Sequence, residues 1–429
     1  MNPQTFLDTF MTPSQPGYKN PSQKDLRHFA SFHYRKNRFA DEKALAHSFV
    51  SLVRALDFFH TPRSQIEHFN NITNKNTLFP KTYIKYGDRI DSKTKSRLRI
   101  DTNIYCGDVD VKKLEDKPVQ VDRSDVVVEW KRLASLDPFV GSSEGLIKVA
   151  EGSKDSEEQL VDYVDLLANY QYRTHIFQVL ICGNTARFLR YDHSAAIVTE
   201  SFTFTSIKQS GLLVQFFHRL SRLSRTQVGH DTRYSTNIPA GLALKTRSAA
   251  RKVMDDAQEA LQTVCKSQST KDRPLTLLAA KDGEGNVHKL ILWYHVRERQ
   301  SIIGRATRAF PVYHTEQKKL MFYKEGWQSN DVNRESETLR LLNHKNIPHV
   351  PTLVTGGDIP GHDTESQNYV ASVWDHKTSE SVCLRKQHFI LIEEVGTPVH
   401  EFESPKQFLE VTRDAFVGES FPAIDMLLL

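Results

Sequence analysis

The sequence predicts a mixed α+β and α/β chain with two folded regions joined by a helical linker. Segments with apolar residues at helical spacing alternate with short apolar runs that are typical of strands. The pair Gly183-Asn184 separates two such runs and is typical of a β-hairpin turn. The 429 residues, of which 39% are hydrophobic and 25% charged, provide enough chain for two or three globular domains.

The net charge and the cysteine content limit the kinds of function that the sequence supports. A net charge of +5 is small for this length, so it permits binding to nucleic acid without requiring it. The four cysteines are far apart and form no CxxC pair, which argues against a zinc site or a disulfide framework. The sequence shows no signal peptide, and no run approaches the ~20 apolar residues of a membrane span. These features predict an intracellular protein of the cytoplasm or nucleus.

The N-terminal region is predicted to form an arm followed by a mixed-sheet domain with flanking helices. Residues 1–40 are predicted to be a flexible arm in which Phe6, Phe10 and Met11 share one face of a short helix. Residues 41–230 form the domain. Its predicted helices are Asp41–His60, Leu160–Arg173 and Gly211–Leu223, and its strands are Leu98–Tyr105, Ser124–Lys131, His175–Cys182, Thr185–Tyr191 and Ala195–Phe204.

The remaining chain is predicted to contain a linker, an antiparallel sheet with one helix, and a tail. The linker is 231–275 with a helix at Arg247–Val264, the sheet region is 276–420, and the tail is 421–429. The predicted strands are Pro274–Ala279, His288–Val296, Arg308–Tyr313, Leu320–Tyr323, Tyr369–Trp374 and Phe389–Ile392. Residues 356–368 are predicted to form an exposed loop, and Ser404–Val417 a helix.

A charged pair ends the otherwise apolar strand at 124–131. Alternate residues of a strand share a face, so Glu129 and Lys131 point the same way. Metal-dependent nucleases use acidic groups to hold Mg²⁺ and a lysine to activate the attacking water. Asp101 is the first choice for a second acid, and Asp125, which shares its parity with Glu129, is the second choice.

This stretch resembles the PD-(D/E)XK nuclease-like fold. The resemblance is carried by Asp101, by Glu129-Trp130-Lys131 and by Gln171 with Arg173, whereas Ile100 stands where the motif has proline. It implies Asp101, Glu129 and Lys131 as catalytic residues, with Asp101 and Glu129 as metal ligands. The alternative is a nuclease-like scaffold that carries a surface Glu–Lys pair.

A lysine followed by a helix start with two glutamates marks the C-terminal region. Lys324 follows the predicted strand Leu320–Tyr323, and Glu335 and Glu337 begin the next helix. In a kinase small lobe, a strand lysine contacts the nucleotide phosphates and a helix glutamate holds that lysine in place. The alternative is a solvated charge pair.

Three segments resemble the fungal-type protein kinase family. They are Val128–Phe139, Tyr170–Phe204, and Ile302–Tyr313 with Tyr323–Trp327. The resemblance extends over about residues 98–420. It implies a nuclease-like region followed by an isolated kinase-like small lobe, with ATP and Mg²⁺ as the cofactors of the family.

The resemblance also implies a nucleotide site with a phosphate loop, a lysine with its helix partner, and a hinge for adenine. Its residues are Gly304 and Arg305 in loop 302–308, Lys324 with Glu335 and the reserve partner Glu337, and Glu393 and Gly396 in hinge 391–396. Gly304 is the only glycine of the loop. Backbone amides therefore approach phosphate less freely, and Arg305 and Arg308 either compensate by their charge or are simply surface arginines.

The catalytic parts of a kinase do not follow the predicted hinge. After Gly396 the sequence has no HRD-type loop and no DFG-like motif, and a large lobe needs ~100–150 residues. The sequence predicts a truncated kinase or pseudokinase without phosphotransfer, with at most weak nucleotide binding.

The sequence also leads to expectations about binding partners and to two alternative functions. The expected partner is a protein that covers the apolar surface of the small lobe, nucleic acid is a second possibility, and a membrane is not expected. The alternatives are a Mg²⁺-dependent nuclease-like domain that processes nucleic acid, and an active Ser/Thr-type kinase if the gene model is wrongly truncated. The substrate and the oligomeric state do not follow from the sequence.

Overall fold

The computed structural model describes residues 1–13, 22–30, 71–73, 102–105, 121, 124–139, 151–206, 208–264, 274–294, 301–372, 382–397 and 401–426. The chain divides into two compact units, each built from separate stretches. The first unit comprises Met1–Thr232, Val296–Ile303 and Thr364–Cys383, and the second comprises Arg233–His295, Gly304–Asp363 and Leu384–Leu429. The predicted helix Asp41–His60 and the candidate acid Asp101 lie outside the described residues.

The first unit contains a mixed β-sheet. Its strands are β1 (Asn71–Thr73), β2 (Thr102–Tyr105), β3 (Ser124–Lys131), β4 (His175–Cys182), β5 (Thr185–Asp192), β6 (Ala196–Val198) and β7 (Phe202–Thr203). The first six lie side by side in chain order, and β7 pairs with β5. The pairing of β3 with β4 is parallel and the other pairings are antiparallel, so the prediction of a mixed sheet is confirmed.

Helices bury both faces of this sheet. Among its described residues, the unit has the helices α1 (Pro3–Phe10), α2 (Gln23–Ala30), α3 (Glu151–Tyr170) and α4 (Ser210–Leu220). Alternating side chains of β3 and β4 divide between two apolar clusters, as the two-residue repeat of a strand requires. One cluster includes residues of α1 and α4, and the other includes residues of α3.

The N-terminal residues belong to the core of the first unit. Phe6, Leu7 and Met11 are 0% exposed and join the cluster that contains α4. The helix expected from Phe6, Phe10 and Met11 is present, but the prediction of a flexible arm does not hold for residues 1–13. Burial of these apolar side chains offsets the entropy lost when the segment is ordered.

The second unit contains an antiparallel sheet. Its strands are β8 (Tyr234–Ser235), β9 (Leu275–Lys281), β10 (Val287–Trp293), β11 (Arg308–His314), β12 (Lys319–Ser329), β13 (Leu353–Asp363) and β14 (Arg385–Ile392). They lie in the order β13-β14-β12-β11-β10-β9-β8. The neighbouring strands are antiparallel, as predicted for this region.

The helices of the second unit are α5 (Ile238–Leu242), α6 (Arg247–Val264), α7 (Glu335–His344) and α8 (Pro405–Met426). Ala250, Ala257 and Leu261 of α6 form an apolar cluster with Leu277 and Ile291 of the sheet. Residues of the predicted linker thus contribute to the core of this unit, so the sheet is accompanied by more than the one predicted helix. The small alanine side chains allow α6 to lie close to the strands.

Three local predictions in the second half of the chain are wrong. Most of the segment predicted as an exposed loop at 356–368 forms β13, which pairs with β14. In the described part of the predicted strand Tyr369–Trp374, residues 369–372 belong to the 3-10 helix Ser366–Ser372 and not to a strand. Lys324 lies in the middle of β12, because that strand extends from Lys319 to Ser329.

None of the helices in the described ranges has the length and apolarity required to span a bilayer.

Candidate functional site

Lys324 lies on the more accessible face of a central strand. It pairs with Ala309 of β11 on one side and with Ile390 of β14 on the other. The neighbouring residues Tyr323 and Glu325 point to the opposite face and are 0% and 3% exposed. Strand alternation therefore directs the Lys324 side chain away from the buried face, and 38% of it remains exposed.

Glu335 holds the Lys324 ammonium group. It is the first residue of α7, and both of its carboxylate oxygens lie 2.8 Å from Lys324 Nζ. Glu337, the reserve partner, is exposed in the same helical turn. A carboxylate at this position is also favoured by the positive end of the helix dipole. The structure thus brings Lys324 together with Glu335, the partner that was preferred in the sequence analysis.

The segment 305–307 lies against the same face of β12. The N–H group of Trp327 donates a hydrogen bond of 2.7 Å to the carbonyl oxygen of Arg305. A Cβ atom added at Gly326 would lie 3.2 Å from both that oxygen and Thr307 Oγ1. Gly326 is two residues from Lys324 and shares its face, so its lack of a side chain lets this segment approach the lysine.

The predicted phosphate loop 302–308 is divided between the two units. Ile302 is 1% exposed within the first unit, where its N–H donates to Asp165 (2.8 Å) and its carbonyl lies 2.6 Å from His193 Nδ1. Gly304, at φ +109°, begins the second unit. Ile302 is therefore a packing residue, and only the later part of the loop lies near Lys324.

The two loop arginines differ in position. Arg305 is exposed. Arg308 is 6% exposed and pairs with Glu325 in the β11–β12 register, so it lies on the face opposite Lys324. The structure therefore leaves Arg305 as the loop arginine suited to meet a phosphate, and the expectation that Arg308 supplies charge there is wrong.

The predicted hinge 391–396 comprises the last two residues of β14 and the four residues that follow. The Glu393 N–H donates to the carbonyl oxygen of Thr352 (3.0 Å), and its carboxylate accepts a hydrogen bond from Lys319 (2.7 Å). A Cβ atom added at Gly396 would meet no atom within 4 Å. The backbone donor of Glu393 is thus used within the protein, and a role of Glu393 and Gly396 in nucleotide binding stays a prediction.

The nuclease-like candidates form a buried ion pair in the first unit. Glu129 is 2% and Lys131 8% exposed, and Lys131 Nζ donates to Glu129 Oε1 at 2.8 Å. Lys131 also donates to Gln159 of α3, a partner that the sequence reading did not identify. The pair is thus buried rather than on the surface. In the described parts of the chain, no three His, Cys, Asp or Glu residues form a metal-binding group, and nuclease activity stays a prediction.

Asp125, the second choice for a nuclease acid, is engaged in a different interaction. Its carboxylate lies 2.6 Å from His230 Nε2 and 3.3 Å from Arg225. Gln171 and Arg173 donate to the backbone carbonyls at the start of β3, with Arg173 2.7 Å from the Asp125 carbonyl. These contacts fix the start of the strand. His230 and Arg225 were missed because they follow Asp125 by about a hundred residues.

Comparison with known proteins adds one finding. A sequence model of the fungal protein kinase family matches residues 144–420, which is more than half of the chain. The matched range includes β4 and β5 of the first unit and Lys324 and Glu335 of the second. No curated protein and no solved structure matches the chain significantly.

Proposed function

Because the chain belongs to the fungal protein kinase family, we propose that it binds the phosphate groups of ATP at Lys324 and does not transfer them. The observation that carries this proposal is the two-oxygen contact of Glu335 with the lysine. This contact fixes the direction of the ammonium group. Since 38% of Lys324 is exposed, an incoming phosphate can still reach it.

The residues present fit the phosphate part of the nucleotide. Lys324 supplies a cation, and the segment 305–307 supplies backbone and the exposed side chain of Arg305 along the same strand face. In kinases a strand lysine paired with a helix glutamate performs this role. When bound, ATP supplies the anionic phosphate oxygens that Lys324 contacts.

Phosphate transfer in kinases depends on residues from two sequence motifs. A kinase orients the substrate hydroxyl with an aspartate and holds Mg²⁺ with an aspartate and an asparagine, in HRD and DFG-type motifs. Neither motif occurs in the sequence. The proposed role is therefore nucleotide binding alone, as in a pseudokinase.

Replacing Lys324 with alanine is expected to weaken ATP binding at least tenfold, because the variant loses the cation that meets the phosphates. A tenfold change corresponds to about 1.4 kcal/mol of binding free energy. The free energy of unfolding should change by less than about 1 kcal/mol, because both members of the ion pair are more than a third exposed. Titration calorimetry and urea denaturation measure the two quantities.

Lys281→Ala is the matched control, because Lys281 is an exposed lysine at the end of β9 in the same sheet. ATP affinity should be unchanged in this variant. Equal affinity of the Lys324→Ala variant and the original chain for ATP would contradict the proposed site, as would undetectable binding of ATP to the original chain at millimolar concentration.

A phosphotransfer assay tests the second half of the proposal. With radiolabelled ATP, Mg²⁺ and generic protein substrates, the purified chain should incorporate no more label than the Lys324→Ala variant. This outcome is expected because the HRD and DFG-type motifs do not occur in the sequence. Turnover that Lys324→Ala abolishes would show that the chain is an active kinase.

A further inference from the structure

The first turn of α7 receives its cap from another strand. The residue at the N-cap position is Arg334, whose side chain makes no capping hydrogen bond. The first amides of a helix lack acceptors within the helix. His388 of β14 meets this need, because its Nε2 lies 3.4 Å from the backbone nitrogen of Ser336. The start of α7 is therefore attached to the sheet through an imidazole.

The partners of His388 define its protonation state. Its Nδ1 lies 2.9 Å from Asp358 Oδ1, and an ionised carboxylate only accepts hydrogen bonds. Nδ1 therefore carries the proton. The Ser336 N–H only donates, so Nε2 must accept with its lone pair. Both hydrogen bonds form together only when the imidazole is neutral.

Asp358 also binds the residue that precedes α7. Arg334 Nε lies 3.0 Å from Asp358 Oδ1, and a terminal guanidinium nitrogen lies 3.1 Å from Oδ2. A further nitrogen of Arg334 donates to the carbonyl oxygen of Ser329 at the end of β12 (2.9 Å). We call Arg334, Asp358 and His388 the helix-start network. It fixes the backbone on both sides of Glu335.

We propose that His388 is a positioning residue that holds Glu335 against Lys324 only while its imidazole is neutral. Mild acid therefore weakens the binding of a nucleotide phosphate at this site. The expected effect on ATP binding rests on the proposed function. The structural part of the inference, the pH-dependent attachment of the start of α7, stands on the contacts of the helix-start network.

Protonation of His388 has two unfavourable effects. A proton on Nε2 would face the Ser336 N–H, so a hydrogen bond would become a contact between two donors. A positive charge would also lie at the positive end of the helix dipole. Burial is the main cause that lowers the pKa of His388 below 6.5; Asp358 and Glu335 act in the opposite direction, and Arg334 adds to the lowering.

The direction of the pH dependence follows from this lowered pKa. The unfolded chain takes up the proton more readily than the folded one, so the network contributes its full stability above pH ~6.5. That contribution is lost as the pH falls below 6.5 toward the folded pKa. We therefore expect that, as the pH is lowered from 7.5 to 5.5, the start of α7 detaches from the sheet more often and ATP binds more weakly.

The test compares the original chain with His388→Gln and His344→Gln. Glutamine at 388 can donate to Asp358 and accept from Ser336 without titrating, and His344 is exposed at the other end of α7. Hydrogen exchange of the 336–338 amides, corrected for intrinsic rates, should increase by about five- to tenfold from pH 7.5 to pH 5.5 in the original chain and in His344→Gln, since uptake of one proton by a group with an unfolded pKa of ~6.5 allows at most about tenfold. It should change less than threefold in His388→Gln. ATP affinity measured over the same pH range should follow the same pattern.

Equal pH profiles for the original chain and His388→Gln would overturn the inference. Absence of ATP binding at pH 7.5 with a His388-dependent exchange profile would instead overturn the proposed function and leave the structural part standing. If His388→Gln does not fold, Asp358→Asn provides the second test. It removes the charge that holds Arg334, so exchange at 336–338 should rise at pH 7.5, and unchanged exchange there would overturn the inference.

Discussion

Replacing Asp192 with alanine is expected to lower the free energy of unfolding of the first unit by about 3–5 kcal/mol, because the variant leaves the buried Arg190 with only the half-exposed Glu365 carboxylate, 3.6 Å away. Asp192 is 1% exposed and lies 2.9 Å from Arg190, whose side chain is 3% exposed. It also accepts hydrogen bonds from the backbone N–H groups of Ser194, Glu365 and Ser366. One carboxylate therefore joins the end of β5 to a segment more than 170 residues further along the chain.

Urea denaturation measures this loss, and Asp155→Ala on the exposed surface of α3 is the control. The control should change the free energy of unfolding by no more than about 0.5 kcal/mol. A loss below about 1 kcal/mol in the Asp192→Ala variant would mean that the network does not hold the 364–383 segment in the first unit.

The same carboxylate predicts a distinct acid response. Burial alone would raise the pKa of Asp192, but Arg190 and the hydrogen bonds from Ser366, Glu365 and Ser194 outweigh it and lower the pKa to about 2. The stability that Asp192 contributes is therefore complete above its ordinary pKa of ~3.9 and is lost as the pH falls toward 2. This component of acid unfolding should be missing in Asp192→Ala.

Elements with a local sequence signal were predicted well. The hairpin around Gly183-Asn184 was placed at His175–Cys182 and Thr185–Tyr191, and the structure differs only by one residue at the end of β5. The helix Arg247–Val264 has the predicted bounds. In both cases the deciding interactions, a tight turn and an apolar stripe, lie within a few residues of each other.

Features that depend on distant partners were not predicted. Glu365 and Ser366 donate to Asp192 of the first unit, and no local pattern near Glu365 reveals that carboxylate. His388 lies just before the predicted strand Phe389–Ile392 and was not singled out, because its role comes from Asp358 and Ser336 on other elements. The Lys324–Glu335 pair was predictable because both residues belong to a motif that is close in sequence and known from kinases.

Gly356 shows how a strand glycine positions the candidate site. It was assigned to a loop because Gly356 and Gly357 are poor strand formers, but glycine in a strand also marks a close approach of another element. Gly356 pairs with Ile390, which in turn pairs with Lys324, so the three residues form a row across the sheet. Ser336 of α7 packs directly on Gly356, which places Glu335 within reach of Lys324.

Gly356→Ala is therefore expected to destabilise the second unit by about 1–3 kcal/mol and to weaken ATP binding at least tenfold. An added Cβ would lie 2.7 Å from the carbonyl oxygen of Phe389 and 2.9 Å from Ser336 Cβ. The first contact requires β13 to shift against β14, and the second pushes α7 away from the sheet. The displacement of α7 separates Glu335 from Lys324, although neither residue has been changed.

Gly357→Ala is the matched control, because the adjacent position would accept a Cβ with no atom within 4 Å. That variant should be neutral or slightly stabilised, since alanine reduces the entropy of the unfolded chain. Urea denaturation and calorimetry with ATP compare the two variants. If Gly356→Ala were as stable as Gly357→Ala and bound ATP as tightly, the close packing of α7 on the sheet would not be what holds the lysine and glutamate together. A loss of ATP affinity confined to Gly356→Ala would instead show that close packing at β13 contributes to phosphate binding at Lys324.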